Sequence, residues 1–151
     1  ATSALSIVAV YRVTSHVASL RQIFDARATG LNGAGLWSDS TLANRTYMHY
    51  GTGSAVLNLQ APVLPSPGVI HTAAATFGPG GGRLYSNGDP VVQNSAPAPL
   101  TDGWQGYIGS NGGTIRYHHG IIPLIAVYNR VISAAEYVAI RRMLRLRGML
   151  A

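Results

Sequence analysis

The sequence predicts an antiparallel β-sandwich that ends in one short helix. Short runs rich in β-branched and aromatic residues follow one another at regular spacing, separated by turns of Gly, Pro and Asn. This spacing is typical of a sandwich and not of alternating β and α units. After the last apolar run, which ends at Tyr128, Ser133 and Glu136 have the spacing of a capping box at a helix N-terminus. We therefore expect an all-β fold with a helix from about residue 133 to 148.

The first part of the chain contains five predicted strands. In the first, alternation places one set of side chains on a single face: Leu5, Ile7, Ala9, Tyr11 and Val13. In the second, Leu20, Gln22, Phe24 and Ala26 alternate with Arg21, Ile23, Asp25 and Arg27. The five predicted strands are Leu5–Val13, Leu20–Arg27, Leu36–Ser38, Thr46–Tyr50 and Ala55–Gln60, with a loop at Gly30–Gly35.

The second part begins after a proline-rich connection. Asn87-Gly88 is a strong signal for a β-hairpin. The predicted strands are Val69–Phe77, Arg83–Ser86, Pro90–Gln93, Gly103–Gly109 and Ile121–Tyr128. Four residues of the terminal helix share one face, so we expect them to pack on the sandwich. They are Tyr137, Ile140, Met143 and Leu144.

Length and composition indicate a single domain over residues 1–151. Hydrophobic residues make up 47% of the chain and charged residues 11%, which excludes a disordered polyelectrolyte. There is no cysteine, so disulfides and thiolate metal sites are excluded. Because no run of about 18 apolar residues occurs, we expect no membrane-spanning helix and no membrane partner.

The net charge is +6, and all eleven basic residues are arginine. With only five acidic residues, some arginines must face solvent or an anionic partner. On the terminal helix, Arg141, Arg142 and Arg145 have two interpretations: they stabilise the C-terminal end of the helix dipole, or they dock an acidic protein surface. We expect no nucleic acid partner, because neither interleaved aromatics nor a basic groove can be identified.

The acidic residues do not predict catalysis. The five are Asp25, Asp39, Asp89, Asp102 and Glu136, and no two have the i, i+2 or i, i+4 spacing of paired carboxylates on one element. Glycoside hydrolysis needs two carboxyl groups only several Å apart, and the sequence indicates no such pair; no Gly-x-Ser-x-Gly elbow is present either, so we expect a protein that is not an enzyme.

We also expect no cofactor and no metal site. Calcium is the open alternative, with Asp25, Asp39 and Asp102 as oxygen ligands, although they form no recognisable loop. The neighbours His118 and His119 would point to opposite sides of a strand and could not chelate one ion.

Two groups of aromatic residues are candidates for glycan binding, because sugar rings stack on exposed Trp and Tyr faces. The first group is Trp37, Tyr47 and Tyr50, with His49 among them; the second is Trp104, Tyr107 and Tyr117, with His118 next to it. The alternative for both groups is packing in the sandwich core.

Two segments resemble the laminin-G-like, concanavalin-A-like jelly-roll domains. One is the Gly82–Val92 hairpin with an aromatic before Asn87-Gly88; the other includes Tyr107-Ile108-Gly109-Ser110, Gly120-x-Ile122 and Val127–Glu136. The resemblance implies a jelly-roll sandwich. Leu124, after Pro123, stands where the family usually has an acidic residue. The chain also starts almost on the strand Leu5–Val13, where family members usually have an extra edge strand, so two alternatives are open: the sheet pairs with another chain at this edge, or a different local segment covers the edge.

The resemblance implies a non-catalytic role in recognition or assembly. The function we expect first is a structural or decoration component of a phage-type virion surface. It would bind neighbouring subunits, as a homo-oligomer or larger assembly, through the helix arginines or an open sheet edge. The alternative is a carbohydrate-binding, lectin-like module of a secreted or cell-surface protein. The expected location is thus a virion surface or the extracellular space.

Overall fold

The computed structural model describes residues 4–15, 20–29, 32–39, 45–52, 55–88, 91–97, 106–110 and 117–150. These ranges contain ten strands and one helix. The elements are β1 (Leu5–Val13), β2 (Leu20–Thr29), β3 (Asn32–Asp39), β4 (Arg45–Gly51), β5 (Val56–Gln60), β6 (Ile70–Gly78), β7 (Gly81–Ser86), β8 (Val92–Asn94), β9 (Tyr107–Ile108), β10 (Gly120–Tyr128) and α1 (Ala134–Leu146).

The strands form two five-stranded antiparallel sheets that pack face to face. Sheet 1 has the order β10-β1-β6-β7-β8, and sheet 2 has the order β5-β4-β3-β2-β9. Between them lies the main core, which contains Ile7 and Tyr11 from sheet 1 and Leu36, Met48 and Tyr50 from sheet 2. The predicted all-β, antiparallel jelly-roll sandwich is confirmed.

Strand β1 lies in the middle of sheet 1. It pairs with β6 on one side, from Leu5↔Phe77 onward, and with β10 on the other. Both of its faces are buried. Of the two alternatives for the edge beside Leu5–Val13, the structure shows the second, because a segment of the same chain, β10, pairs with β1 there. Pro123 lies in β10 where the register with β1 shifts. Because the ladder is interrupted at this point, the N–H that proline lacks is not needed for a ladder hydrogen bond.

Strand β2 contains a bulge that reverses its alternation. Gln22 pairs with Trp37 and Phe24 pairs with Leu36, so Ile23 is an extra residue. Ile23 and Phe24 both pack in the main core. The predicted alternation, with Gln22 and Phe24 on one face, is wrong, because the bulge turns Gln22 to the outer face of sheet 2.

Several predicted boundaries differ from the structure. Strand β3 begins at Asn32, so residues 32–35 extend a ladder and are not loop. Asn87 and Gly88 have φ of 45° and 89°, as in a type I′ turn, but β8 pairs through Leu84↔Val92 and the connection is longer than a two-residue hairpin. Strand β9 covers only Tyr107–Ile108; residues 103–105 of the predicted strand lie outside the described residues.

Helix α1 is capped as predicted and packs on the outer face of sheet 1. Ser133 Oγ accepts from the Glu136 N–H at 3.2 Å, and the Glu136 carboxylate accepts from the Ser133 N–H at 2.7 Å. Tyr137 and Leu144 are buried, and Ile140 packs against the cluster that includes Tyr137. The predicted packing of Met143 is wrong: it is 44% exposed, because it lies about 100° around the helix axis from Leu144.

Candidate functional site

The outer face of sheet 2 carries an unusual mixture of aromatic and polar side chains. Strand pairing arranges them in two rows that cross the sheet. One row is Gln22, Trp37, Tyr47 and Gln60; the other is Tyr107, Asp25, Gly35, His49 and Asn58. We call this set the sheet-2 face. It faces away from α1, which lies on the opposite side of the sandwich.

An aromatic cluster forms the centre of the sheet-2 face. The rings of Trp37 and His49 are stacked, with centroids 5.3 Å apart and planes 12° apart. Tyr47 meets the indole edge-to-face, also at 5.3 Å. Trp37 and Tyr47 are only 3% and 2% exposed, whereas His49 is half-buried. The indole and phenol therefore form a base, and the imidazole reaches the surface.

Gly35 gives the indole room to lie close to the sheet. A Cβ at this position would stand 3.0 Å from Cδ1 of Trp37 and 3.2 Å from Oδ1 of Asp25, and it would overlap the indole nitrogen. Real Cβ atoms do not tolerate such contacts, so any larger residue would displace the ring. The glycine thus fixes the depth of Trp37 and the neighbouring position of Asp25.

Strand β5 supplies the exposed margin of the sheet-2 face. Asn58 and Gln60 are both exposed and, two residues apart on a strand, point to the same side. The side-chain oxygen Oδ1 of Asn58 lies 3.0 Å from Nδ1 of His49, which donates to it. Each amide presents a donor and an acceptor at the surface. This margin can therefore exchange paired hydrogen bonds with hydroxyl groups.

Gln22 is buried in the sheet-2 face. It is fully buried, and neither its amide nitrogen nor its amide oxygen has a hydrogen-bond partner among the described residues. Burying a polar group without a partner costs about 1–3 kcal/mol, and native structures rarely tolerate it. This position thus keeps a polar side chain at a cost in stability.

The aromatic candidates from the sequence divide between two faces. Trp37 and Tyr47 belong to the sheet-2 face but are buried, so they support it from beneath. Tyr50 lies on the opposite face, inside the core, where its hydroxyl donates to the Ala96 carbonyl at 3.2 Å. Burial raises the pKa of Tyr50. Its interior position corrects the expectation that its ring meets a glycan beside Trp37.

In the second aromatic group, Tyr107 is half-buried at the β9 end of the sheet-2 face, and Tyr117 is 61% exposed just before β10. Trp104 lies outside the described residues. Among the helix arginines, Arg141 is half-buried with its guanidinium 6.0 Å from the Tyr137 ring, and Arg142 and Arg145 are exposed.

The two adjacent histidines have separate partners. Nε2 of His118 donates to the Arg12 carbonyl at 3.2 Å, and Nδ1 of His119 lies 3.1 Å from the Ser15 hydroxyl. Burial lowers the pKa of His118. In the part of the chain that the structure describes, no group of three metal-binding side chains occurs. Of the calcium candidates, Asp25 lies on the sheet-2 face; the Asp39 side chain and Asp102 are outside the described residues.

Sequence reasoning missed Gln22, Asn58 and Gln60 as residues of this face. The two residues of β5 carried a usable signal, because amides at i and i+2 of a predicted strand share a face. Gln22 carried none, since its orientation depends on the bulge at Ile23.

The fold agrees with the comparisons. The family model described as the concanavalin A-like lectin/glucanases superfamily matches residues 1–136. The chain belongs to this superfamily. The resemblance expected from the hairpin and the final strands is thereby confirmed. A search of curated proteins gave no match.

Several solved structures share the fold. The CBM40 of Ruminococcus gnavus IT-sialidase, bound to α2,3-sialyllactose, has a TM-score of 0.73 and 19% identity, with 91% of this chain and 82% of that chain covered. A Trypanosoma rangeli sialidase has a TM-score of 0.67 and 20% sequence identity, with 89% of this chain and 22% of that chain covered. Mouse laminin α1 domains LG4-5 have a TM-score of 0.63 and 17% sequence identity, with 85% of this chain and 36% of that chain covered.

The sequence predicts no membrane-spanning helix. Among the described residues, no helix is both long enough and apolar enough to span a bilayer.

Proposed function

We propose that this protein is a non-catalytic carbohydrate-binding module and that the sheet-2 face is its binding surface. The observation that carries the proposal is the margin of planar polar side chains, His49, Asn58 and Gln60, supported by the buried rings of Trp37 and Tyr47. Sugars present hydroxyl groups that both donate and accept, which matches the exposed side-chain amides of Asn58 and Gln60; His49 supports them, because its Nδ1 binds Asn58 and its Nε2 is buried.

The margin is held in place before any ligand binds. Trp37 stacks on the His49 ring, and the side-chain oxygen of Asn58 accepts a hydrogen bond from Nδ1 of His49. Groups whose rotamers are already fixed lose little entropy when they bind, so more of each new hydrogen bond contributes to affinity. In this proposal the buried Trp37 and Tyr47 act on the glycan through His49 and Gln60.

The accessible part of this face lies at its two ends, because Asp25 and Gly35 between them are buried. From β9 to β5 the row crosses four strand spacings, roughly 19 Å at about 4.8 Å each. Asn58 lies at one end, and the half-buried ring of Tyr107 lies at the other. Tyr107 and the exposed Tyr117 are the described rings that we propose for stacking, and Trp104 remains a proposed third.

The comparisons support this function better than a virion role. One similar structure is a carbohydrate-binding module in complex with sialyllactose, and another is a pair of laminin domains. No finding supports a virion surface, an oligomer or a larger assembly. For a module of this kind we propose an extracellular or secreted location.

A glycan array that includes α2,3-sialyllactose, followed by calorimetric titration of the best-binding oligosaccharide, tests the proposal. We expect Asn58→Ala with Gln60→Ala to weaken binding at least about tenfold, which corresponds to 1.4 kcal/mol. Val138→Ala is the matched control, because Val138 is 62% exposed on α1, on the other side of the sandwich. Equal affinity in the double variant and the control would contradict the proposed surface, and an array without any binder would contradict the function.

A further inference from the structure

A second site lies on the opposite side of the molecule. Between the C-terminal half of α1 and the Asn87–Gly88 turn is a cleft of about 250 Å³. Its walls include His71, Asn87, Arg141 and Arg145, with Val69 and Leu150 at the apolar side. We propose that this cleft, the α1 cleft, binds a single oxyanion group: phosphate, sulfate or carboxylate. The proposal is independent of glycan binding on the sheet-2 face.

Two arginines line the α1 cleft, and among the described residues no carboxylate pairs with either of them. Arg141 and Arg145 are four residues apart, so they are neighbours on one side of the helix. Among the described residues the carboxylates lie elsewhere: Asp25 is on the sheet-2 face, and Glu136 pairs with Arg130 at 2.7 Å. Two like charges at this spacing repel each other, and an anion between them removes the repulsion.

Arg141 is held in place and is incompletely hydrogen-bonded. Its guanidinium packs directly on Gly88, where any side chain would collide with it, and lies over the ring of Tyr137. Its Nε is buried and has no hydrogen-bond partner among the described residues. A guanidinium matches an oxyanion through two parallel N–H bonds, and Nε with one terminal nitrogen forms such a fork. An oxyanion in the cleft would supply the acceptor that Nε lacks.

The polar side chains of the wall opposite the arginines, Asn87 and His71, already have hydrogen-bond partners. The side-chain oxygen of Asn87 accepts from the Thr72 N–H at 2.8 Å, so its nitrogen faces Nδ1 of His71 at 2.6 Å. Nδ1 must therefore accept, and Nε2 donates to the Ser66 carbonyl at 3.0 Å. This network fixes the shape of the cleft and leaves anion binding to the arginines.

The size of the α1 cleft restricts what it can hold. Pockets for drug-sized ligands measure about 300–1,000 Å³. At about 250 Å³ the cleft is smaller, so it suits one anionic group with its nearest atoms. Val69 and Leu150 would contact the part of the ligand that carries no charge.

Calorimetric titration with sodium phosphate, sodium sulfate and sodium acetate, at constant ionic strength set with sodium chloride, tests the proposal. We expect saturable binding in the wild type and at least about tenfold weaker binding in Arg141→Gln and Arg145→Gln. Arg142→Gln is the matched control: it removes the same charge from the same helix, but Arg142 does not line the cleft. Thermal unfolding in chloride establishes that each variant is folded.

The three anions also distinguish the source of the group. Binding of phosphate and sulfate without acetate indicates a tetrahedral oxyanion, and binding of acetate as well extends the site to carboxylates. No saturable binding of any of the three, or equal weakening in all three arginine variants, would overturn the proposal. Because the sheet-2 face is on the other side of the sandwich, Arg141→Gln is expected to leave glycan affinity unchanged.

Discussion

The indole of Trp37 and the imidazole of His49 lie nearly parallel, 5.3 Å apart, on neighbouring strands of sheet 2. One ring is buried and the other reaches the surface. Through this stack the buried Trp37 determines the position of the His49 ring, which solvent and a ligand can reach. In the proposed function, the aromatic cluster therefore acts as a support for the polar margin.

Replacing Gln22 by Met is expected to stabilise the protein. The change keeps the length of the side chain and removes two buried polar atoms without partners, so we expect the free energy of unfolding to rise by about 1–3 kcal/mol. Urea denaturation measures it. Gln60→Met, the same change at an exposed position of the same face, should stay within about 0.5 kcal/mol. A loss of stability in Gln22→Met would show that the amide is satisfied in solution.

The substitution Gly88→Ala is expected to cost more than Gly68→Ala. Both glycines have positive φ, 89° and 78°, so both substitutions strain the backbone, by more than about 1 kcal/mol. A Cβ at Gly68 would meet open space, whereas at Gly88 it would displace the guanidinium of Arg141. Thermal and urea unfolding of the two variants isolate that contact. Equal costs would mean that Arg141 does not pack on Gly88.

Stability is expected to fall in acid through Glu136. Hydrogen bonds from Arg130 and from the Ser133 backbone lower the pKa of Glu136 from 4.5 to about 2. Because the folded pKa lies below the unfolded one, this carboxylate stabilises the fold above about pH 4.5, and its contribution disappears as the pH falls toward 2.

The measurement is the melting temperature of wild type and Glu136→Gln between pH 6 and pH 2. We expect the wild type to be more stable at pH 6 and the difference to vanish near pH 2. Arg130→Gln should show the same pH dependence, because it removes the other partner of the ion pair. A difference that is constant over this range would contradict the lowered pKa.

Local features of the sequence predicted much of the fold. The alternation in Leu5–Val13, the turn at Asn87-Gly88 and the capping box of Ser133 and Glu136 each depend on residues close in sequence, and each is present in the structure. The boundaries of β3 and β8 were less predictable, because pairing with a neighbouring strand extends β3 and moves the start of β8.

The candidate site was less predictable, for a physical reason. Whether Trp37 faces the core or the outer surface depends on its register with Gln22 and Tyr47, which lie on other strands. Tyr50 is near Tyr47 in sequence, yet the two point to opposite faces of sheet 2. Clustering in sequence therefore indicated that these residues lie on one sheet, but it could not identify which rings reach the surface.

The central claim is that a glycan binds to the sheet-2 face. Its most direct test is a ¹H–¹⁵N NMR titration of the protein with the best-binding oligosaccharide from the array. We predict that the shifting resonances include the side-chain amides of Asn58 and Gln60 and the backbone amides around His49 and Tyr107. Shifts confined to α1 and the Asn87–Gly88 turn, with the sheet-2 face unchanged, would contradict the account.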